Sequence, residues 1–305
     1  MQSNLILNIQ DLHKSYGSVR ALRGVNLQVQ QGELFGFLGP NGAGKTTTIR
    51  CLLDLIRPDK GSISIFGLDP QKEAVKVKEL VGYLPGELHI EHNQRVGSAL
   101  RYFAQLRGNN LDWSEVKVSA KRLELDLDLP VKNLSKGNKQ KVGILIALMG
   151  KPKLLLLDEP TSGLDPLMQQ VVYEMLREAQ AAGSTVFFSS HILSEVEALA
   201  NRVAIIRKGR IAEEVDPRHL GSMSMQRVKV RFAKPVPRAD FSDLPGIQLL
   251  DGTNDQKLRF QVEGSIDPLV KALAKHKVLS METSHLTLEE IFLAYYKNGN
   301  QEEQA

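Results

Sequence analysis

The 305-residue chain has 42% hydrophobic and 24% charged residues, a formal net charge of +4 and one cysteine, Cys51. That balance is typical of a globular protein with room for a sizeable core, and a single cysteine excludes an intramolecular disulfide and fits a reducing cytoplasm. The charge is mild and no dense Lys/Arg run stands out, so the composition does not call for nucleic acid as a partner. No apolar run approaches the roughly 18 residues that a bilayer span requires, and the first eight residues lack the basic-then-apolar pattern of a secretory leader. Cys51 lies among Leu52, Leu53 and Leu55 and reads as a small buried hydrophobe.

Residues 5–9 and 25–29 alternate apolar and polar, as half-buried antiparallel strands do. Residues 34–38 form a continuous apolar run that leads into a glycine-rich loop, and residues 46–55 then read as a helix stopped by Arg57-Pro58-Asp59. Residues 62–66 read as another strand. Strand, loop and helix in this succession predict an α/β fold with a largely parallel core sheet and an antiparallel β subdomain beside it.

From about residue 84 to residue 150 the strand signals give way to helical spacing, with Val96, Leu100, Phe103 and Leu106 on one face and Gly108-Asn109-Asn110 as a helix end. Further helices are expected over 116–125 and 141–149, so this stretch reads as a helical insertion. Buried-type strands return at 154–157, 185–188 and 203–206. Around 221–226 the chain is Ser/Met-rich and non-periodic, a linker pattern, so the boundary is placed between a domain over 1–220 and a small α+β domain over 221–305. In the latter, 228–232 reads as a strand, 247–250 and 257–262 as a hairpin across 252–255, and Asp267 as the cap of a helix reaching about Lys275. Thr287 with Glu290 forms a capping-box pattern ahead of 291–296.

The loop Gly39-Pro40-Asn41-Gly42-Ala43-Gly44-Lys45-Thr46-Thr47 carries the chemistry. It matches G-x-x-x-x-G-K-[ST], whose glycines turn backbone N–H groups toward phosphate oxygens while the following helix presents its positive end. Lys45 is placed to neutralise the β- and γ-phosphates, and the Thr46 hydroxyl to ligate Mg2+. The strand before the loop and the helix after it are the context the motif requires, which a chance glycine turn lacks. The second strand run ends in Asp158-Glu159, two carboxylates at the carboxyl edge of the sheet, where ligands of open α/β sheets bind. Asp158 then suits Mg2+ and Glu159 the activation of water, against the plainer alternative of a solvated acidic turn before Pro160.

Residues 134–140, Leu-Ser-Lys-Gly-Asn-Lys-Gln, resemble the LSGGQ signature of ABC ATPases. Ser162-Gly163-Leu164-Asp165 resembles the D-loop of that family, His191 its switch histidine, and Tyr16 its adenine-stacking aromatic. With the glycine loop these motifs run in one order over residues 1–215, and the chain is identified as similar to an ABC ATPase domain. The resemblance implies a P-loop NTPase core that hydrolyses ATP with Mg2+. Two such domains would pair head to tail, with Ser135, Lys136 and Gly137 of one chain at the γ-phosphate held by the other. His191 would touch that phosphate and orient Glu159 and its water, and Asp165 of the D-loop would be among the ATP-binding residues. Taken singly, His191 is more often a structural histidine and Tyr16 a packing aromatic. Lys136 and Asn138 replace a glycine and a glutamine of the family pattern, and Gly86 stands where the family usually has a glutamine, leaving Glu87 as a substitute metal ligand.

The pattern looks most like ATPase subunits of drug- and antibiotic-resistance exporters. That implies a separate transmembrane permease, a second copy of this chain or a paralogous ATPase subunit, no nucleic acid, and a place on the cytoplasmic face of the membrane. The other function class considered is a soluble ABC ATPase acting on ribosomes or nucleic acid, which usually carries tandem ATPase sets or a long inserted coiled coil. A non-hydrolysing binding module is disfavoured by Lys45, Asp158, Glu159 and His191 standing together.

Overall fold

The computed structural model describes residues 5–91, 93–107, 112–216 and 225–285. The chain divides into two compact units, Met1–Val215 and Asp216–Ala305.

In the first unit the strands are β1 (Leu5–Tyr16), β2 (Val19–Gln30), β3 (Leu34–Leu38), β4 (Lys60–Ile65), β5 (Val81–Leu84), β6 (Leu154–Asp158), β7 (Thr185–Ser190), β8 (Arg202–Arg207) and β9 (Arg210–Val215). The helices are α1 (Lys45–Leu52), α2 (Ala74–Leu80), α3 (Val96–Leu106), α4 (Trp113–Arg122), α5 (Lys136–Leu148), α6 (Pro166–Ala181) and α7 (Leu193–Leu199). Strands β2-β1-β4 form a three-stranded antiparallel sheet, and β5-β6-β7-β3-β8-β9 a six-stranded sheet that is parallel except for the β8–β9 pair. Every residue of β3, β6 and β7 is buried, as expected for strands covered on both faces. Val25, Leu27 and Val29 alternate inward on β2, and Leu7 and Ile9 do so on β1. They share one core with Phe35, Phe37, Phe187, Leu156 and the inner face of α1, which carries Ile49, Cys51 and Leu52. Helices α3, α4 and α5 make up the helical stretch between β5 and β6, and α5 is buried along most of its length.

Among the described residues the second unit is a four-stranded antiparallel sheet ordered β11-β12-β10-β13, with β10 (Met225–Phe232), β11 (Ile247–Asn254), β12 (Lys257–Glu263) and β13 (Val278–His285), together with the α-helix α8 (Asp267–Leu273). Phe232, Phe241, Phe260, Leu258 and Leu269 fill its core.

Several local expectations shift. The helix after the glycine loop spans Lys45–Leu52 rather than 46–55. The β11–β12 pairing extends to Asn254↔Lys257, so the reversal lies at Asp255-Gln256 and not across 252–255. Asp267 is the first residue of α8 and not its cap, which is Ile266; the Asp267 carboxylate instead meets Lys271 one turn on, at 2.7 Å. Strands β5, β9 and β13 and helices α2, α6 and α7 were not expected from the pattern. The helix end at 108–110, most of the 221–226 linker and the capping box at Thr287 lie outside the described residues.

Candidate functional site

Three neighbouring strands end side by side. Leu38 of β3 pairs with Ser190 of β7, and Asp158 of β6 pairs with Ser189 of β7. On the far side of β6, Leu84 of β5 pairs with Leu157. Register alone therefore brings the glycine loop, the acidic pair, His191 and the Pro85-Gly86 turn to one carboxyl edge of the sheet. The Gly39 N–H donates to the Ser190 carbonyl at 3.1 Å and ties two of these loops together.

The glycine loop opens α1. Gly44 caps that helix in the left-handed region, with φ at 114°, and a β-carbon on it would lie 2.8 Å from both the Ala21 carbonyl oxygen and Leu22 Cδ2. No other residue type fits there without moving β2. Lys45 is only 5% exposed, and its Nζ donates to the Gly39 carbonyl at 2.7 Å and the Pro40 carbonyl at 3.2 Å. Thr46 and Thr47 are half-buried in the first turn of α1, and Asn41 and Gly42 are exposed at the tip. First-turn N–H groups have no partner within their own helix, so this terminus suits an anion such as a phosphate.

Asp158 is 1% exposed. Its Oδ1 accepts from Ser189 Oγ at 2.6 Å, and Ser189 Oγ in turn accepts from the Glu159 N–H at 3.0 Å. Asp158 Oδ2 has no hydrogen-bond partner, although a buried carboxylate oxygen ordinarily has one. It faces Gly86, where a β-carbon would come within 3.0 Å of it. Glu159 sits in the left-handed region at φ 51°, a conformation that costs a non-glycine residue about 1–3 kcal/mol and is typical of functional sites. That turn aims its carboxylate back at the loop. Oε1 lies 3.0 Å from His191 Nδ1 and 3.5 Å from Lys45 Nζ. A carboxylate accepts here, so the contact is a donation from His191 Nδ1 to Glu159 Oε1.

Ser135 caps α5 by accepting from the Asn138 N–H at 3.1 Å, which leaves its own O–H free to donate. Gly137 packs on the D-loop stretch: a β-carbon there would lie 2.8 Å from the Gly163 carbonyl oxygen. The methylene stem of Lys136 covers Gly163, so this departure from the family pattern fills space over a neighbouring glycine. Asp165 caps α6, accepting from the Leu167 and Met168 N–H groups at 3.0 Å each. Tyr16 ends β1 at 48% exposure, with Lys14 Nζ 5.8 Å from its ring centroid.

The structure thus gathers Gly39, Lys45, Asp158, Glu159 and His191 at one point, and gathers Lys136 and Gly137 with the segment leading to Asp165. It does not bring Glu87 to Asp158: that side chain is exposed, with His89 Nε2 at 4.0 Å, and the backbone of Gly86 occupies the place instead. Two residues have supporting roles that the sequence did not indicate, although one of them, Gln140, closes the signature-like stretch 134–140. Ser189 orients Asp158, and Gln140 of α5 donates to the Glu159 and Pro160 carbonyls at 2.9 Å each, fastening the acidic turn to the signature helix. Only a three-dimensional pairing reveals these roles, because a serine in an apolar strand is ordinary locally and the signature-like stretch does not say what its last glutamine holds.

The family model described as ABC transporter matches residues 22–162. The chain is 40% identical over 223 residues to the bacitracin transport ATP-binding protein BcrA of Bacillus licheniformis, covering 70% of this chain and 71% of that one. It is 36% identical over 218 residues to the Nod factor export ATP-binding protein I of Burkholderia pseudomallei (strain 1710b), covering 70% and 72%. A solved ATP-binding subunit of an ABC transporter superposes with a TM-score of 0.65 at 30% identity, covering 71% of this chain and 92% of that one. The chain belongs to the ABC transporter ATP-binding family, and it is an ATP-binding, ATP-hydrolysing transporter subunit.

Proposed function

We propose that this chain drives a separate transmembrane permease, in the direction of export, from the cytoplasmic face of the membrane, and that it works as a pair with a second copy of itself or a paralogous ATPase subunit. Transport is supported by the name of the bacitracin transport relative, and the export direction by that of the Nod factor export relative. A separate permease is supported by the helices: among the described residues none is long and apolar enough to cross a membrane. Neither relative's name points to ribosomes or nucleic acid, the alternative class.

The observation that carries the mechanism is the sharing of Glu159 Oε1 between His191 and Lys45. The N–H groups of the loop from Gly39 to Thr47 hold the phosphates, and Lys45 moves its charge from the loop carbonyls to the β- and γ-phosphate oxygens. Tyr16 stacks on the adenine. Glu159 takes a proton from the attacking water, while His191, anchored through Nδ1, offers Nε2 to the γ-phosphate side. Ser135 and the Gly137 N–H of the second copy close the site over the γ-phosphate, with Lys136 and Asp165 at the same interface. The products are ADP and phosphate, and loss of the γ-phosphate contacts loosens the pair.

Mg2+ fits the residues present. Asp158 Oδ2 is a buried oxygen without a hydrogen-bond partner, Thr46 supplies a hydroxyl from the glycine-loop motif, and Mg2+ commonly takes one carboxylate and substrate phosphates. When bound it neutralises charge on the β- and γ-phosphates.

Reconstitution of the chain in vesicles with the membrane protein encoded beside it tests the whole proposal. ATP-dependent efflux coupled to hydrolysis is the expected result. Co-purification with ribosomes, and no membrane protein that stimulates hydrolysis, would overturn it.

A further inference from the structure

Behind the reactive residues lies a buried carboxylate that the mechanism above does not use. Glu195, in the first turn of α7, is 5% exposed. Its Oε1 accepts from Thr161 Oγ1, and its Oε2 accepts from Ser190 Oγ at 2.6 Å. Both hydroxyl residues are themselves buried. Thr161 stands two positions after Glu159, and Ser190 immediately before His191. Ser190 Oγ also accepts from the Ile192 N–H at 2.9 Å, so its contacts close a tight turn around His191. Tyr173 of α6 is near enough that, after burial, the charge on Glu195 is the next cause pushing its phenol up to about 12.

Burying a carboxylate is unfavourable unless its oxygens are hydrogen-bonded, and an apolar side chain would cover α7 at no such cost. What Glu195 adds is a bridge. Its two oxygens join Thr161, two positions after Glu159, to Ser190, the last residue of β7 and the neighbour of His191. The Glu159–His191 contact spans the same two segments at 3.0 Å.

We propose that Glu195 is a positioning residue for ATP hydrolysis, clamping Thr161 and Ser190 so that Glu159 and His191 stay within hydrogen-bond reach of each other. This rests on the assignment of Glu159 and His191 as the hydrolytic pair.

The test is steady-state hydrolysis by the full chain. Glu195→Ala removes both arms of the clamp, and a displacement of the reacting groups by about 1 Å costs roughly 10²-fold in kcat. The KM for ATP stays within about threefold, because the phosphate loop is not touched. Glu195→Gln keeps one acceptor and adds a donor that either hydroxyl can accept, so it recovers kcat to within about threefold of the parent. A double-mutant cycle separates positioning from general loosening. Adding Glu195→Ala to His191→Ala lowers kcat by no more than about twofold if Glu195 acts through His191.

Multiplicative losses in that cycle, or a Glu195→Gln variant as slow as Glu195→Ala, would overturn the inference. Slow Glu159→Gln and His191→Ala variants beside a fast Glu195→Ala would overturn it alone. If Glu159→Gln and His191→Ala both hydrolyse ATP at the parent rate, the hydrolytic assignment falls first and this inference with it. Should Glu195→Ala fail to fold, Thr161→Val cuts one arm at constant shape. It is expected to slow kcat without multiplying the His191→Ala loss, and a parent-like rate overturns the inference.

Discussion

Glu159 Oε1 accepts from His191 Nδ1 at 3.0 Å, so the residue proposed to activate water and the residue proposed to sense the γ-phosphate already touch. A glutamine at 159 preserves shape and can still accept from His191, but it cannot take a proton. Glu159→Gln is therefore expected to lower ATP hydrolysis by roughly 10²- to 10⁴-fold, the usual contribution of a general base, while ATP binding stays intact. Bound ATP then persists, and a two-chain species should accumulate on size-exclusion chromatography with saturating ATP and Mg2+. A variant that binds ATP and remains monomeric, with the membrane partner present as well as absent, would count against paired closure.

The orphaned Asp158 Oδ2 makes a different prediction at Gly86. A β-carbon at 86 would press to 3.0 Å of that oxygen, which places a methyl group against the atom proposed to hold the metal. Gly86→Ala should raise the Mg2+ concentration needed for half-maximal hydrolysis by about tenfold, the scale of altered metal surroundings, and leave metal-free nucleotide binding unchanged. Glu87→Ala should leave the Mg2+ titration where it was, because the Glu87 side chain is exposed and away from Asp158. A shift with Glu87→Ala and none with Gly86→Ala would reverse the assignment.

The strand-loop-helix core was legible because its signals are local and strong. The apolar run over 34–38 meets a glycine loop, and the run over 154–157 meets two carboxylates, so both strand ends announce themselves. His191 was legible only through the family resemblance, since nothing local separates it from a structural histidine. Strand β5 has little sequence signal because its Val81-Gly82-Tyr83-Leu84 run is short and contains a glycine. That glycine is there because Ala147, Pro152 and Leu155 crowd the position from α5, the turn after it and β6. The contacts of Ser189, Gln140 and Glu195 leave no mark in the sequence for a common reason: each acts on a residue 5 to 34 positions away, across strands and helices, and pairing at that distance is not periodic.

Gly137 meets the Gly163 carbonyl so closely that the signature and the D-loop behave as one packed unit. Gly137→Ala would drive a β-carbon to 2.8 Å of that oxygen, and overpacking of this kind costs about 1–3 kcal/mol. Chemical denaturation should show the loss, with hydrolysis falling alongside it because Ser135 is carried by the same turn. Lys136→Ala trims an exposed stem and should stay within about 0.5 kcal/mol of the parent, the range of ordinary surface changes. Equal effects of the two variants would mean that the glycine contact is not what holds the turn.

Cys51 offers a test of the core between the two sheets. The thiol is fully buried on α1, and burial, reinforced by the charges of Asp59 and Asp54 against the opposing pull of Lys14, pushes its pKa up to about 11. At pH 8 that leaves about 0.1% thiolate in the folded chain, compared with about 25% at an unfolded pKa near 8.5. Iodoacetamide at pH 8 should accordingly label Cys51 at least 100-fold faster in denaturant than in the native protein. The same shift sets a sign for stability. The native thiol holds its proton to higher pH than the unfolded one, so its contribution is complete below about pH 8.5 and declines as pH rises toward 11. Cys51→Ala removes that linkage, and its denaturation midpoint should fall less steeply between pH 8.5 and 10.5 than the parent's. Rapid labelling of a chain that still hydrolyses ATP would show that α1 opens from the sheets without loss of the site.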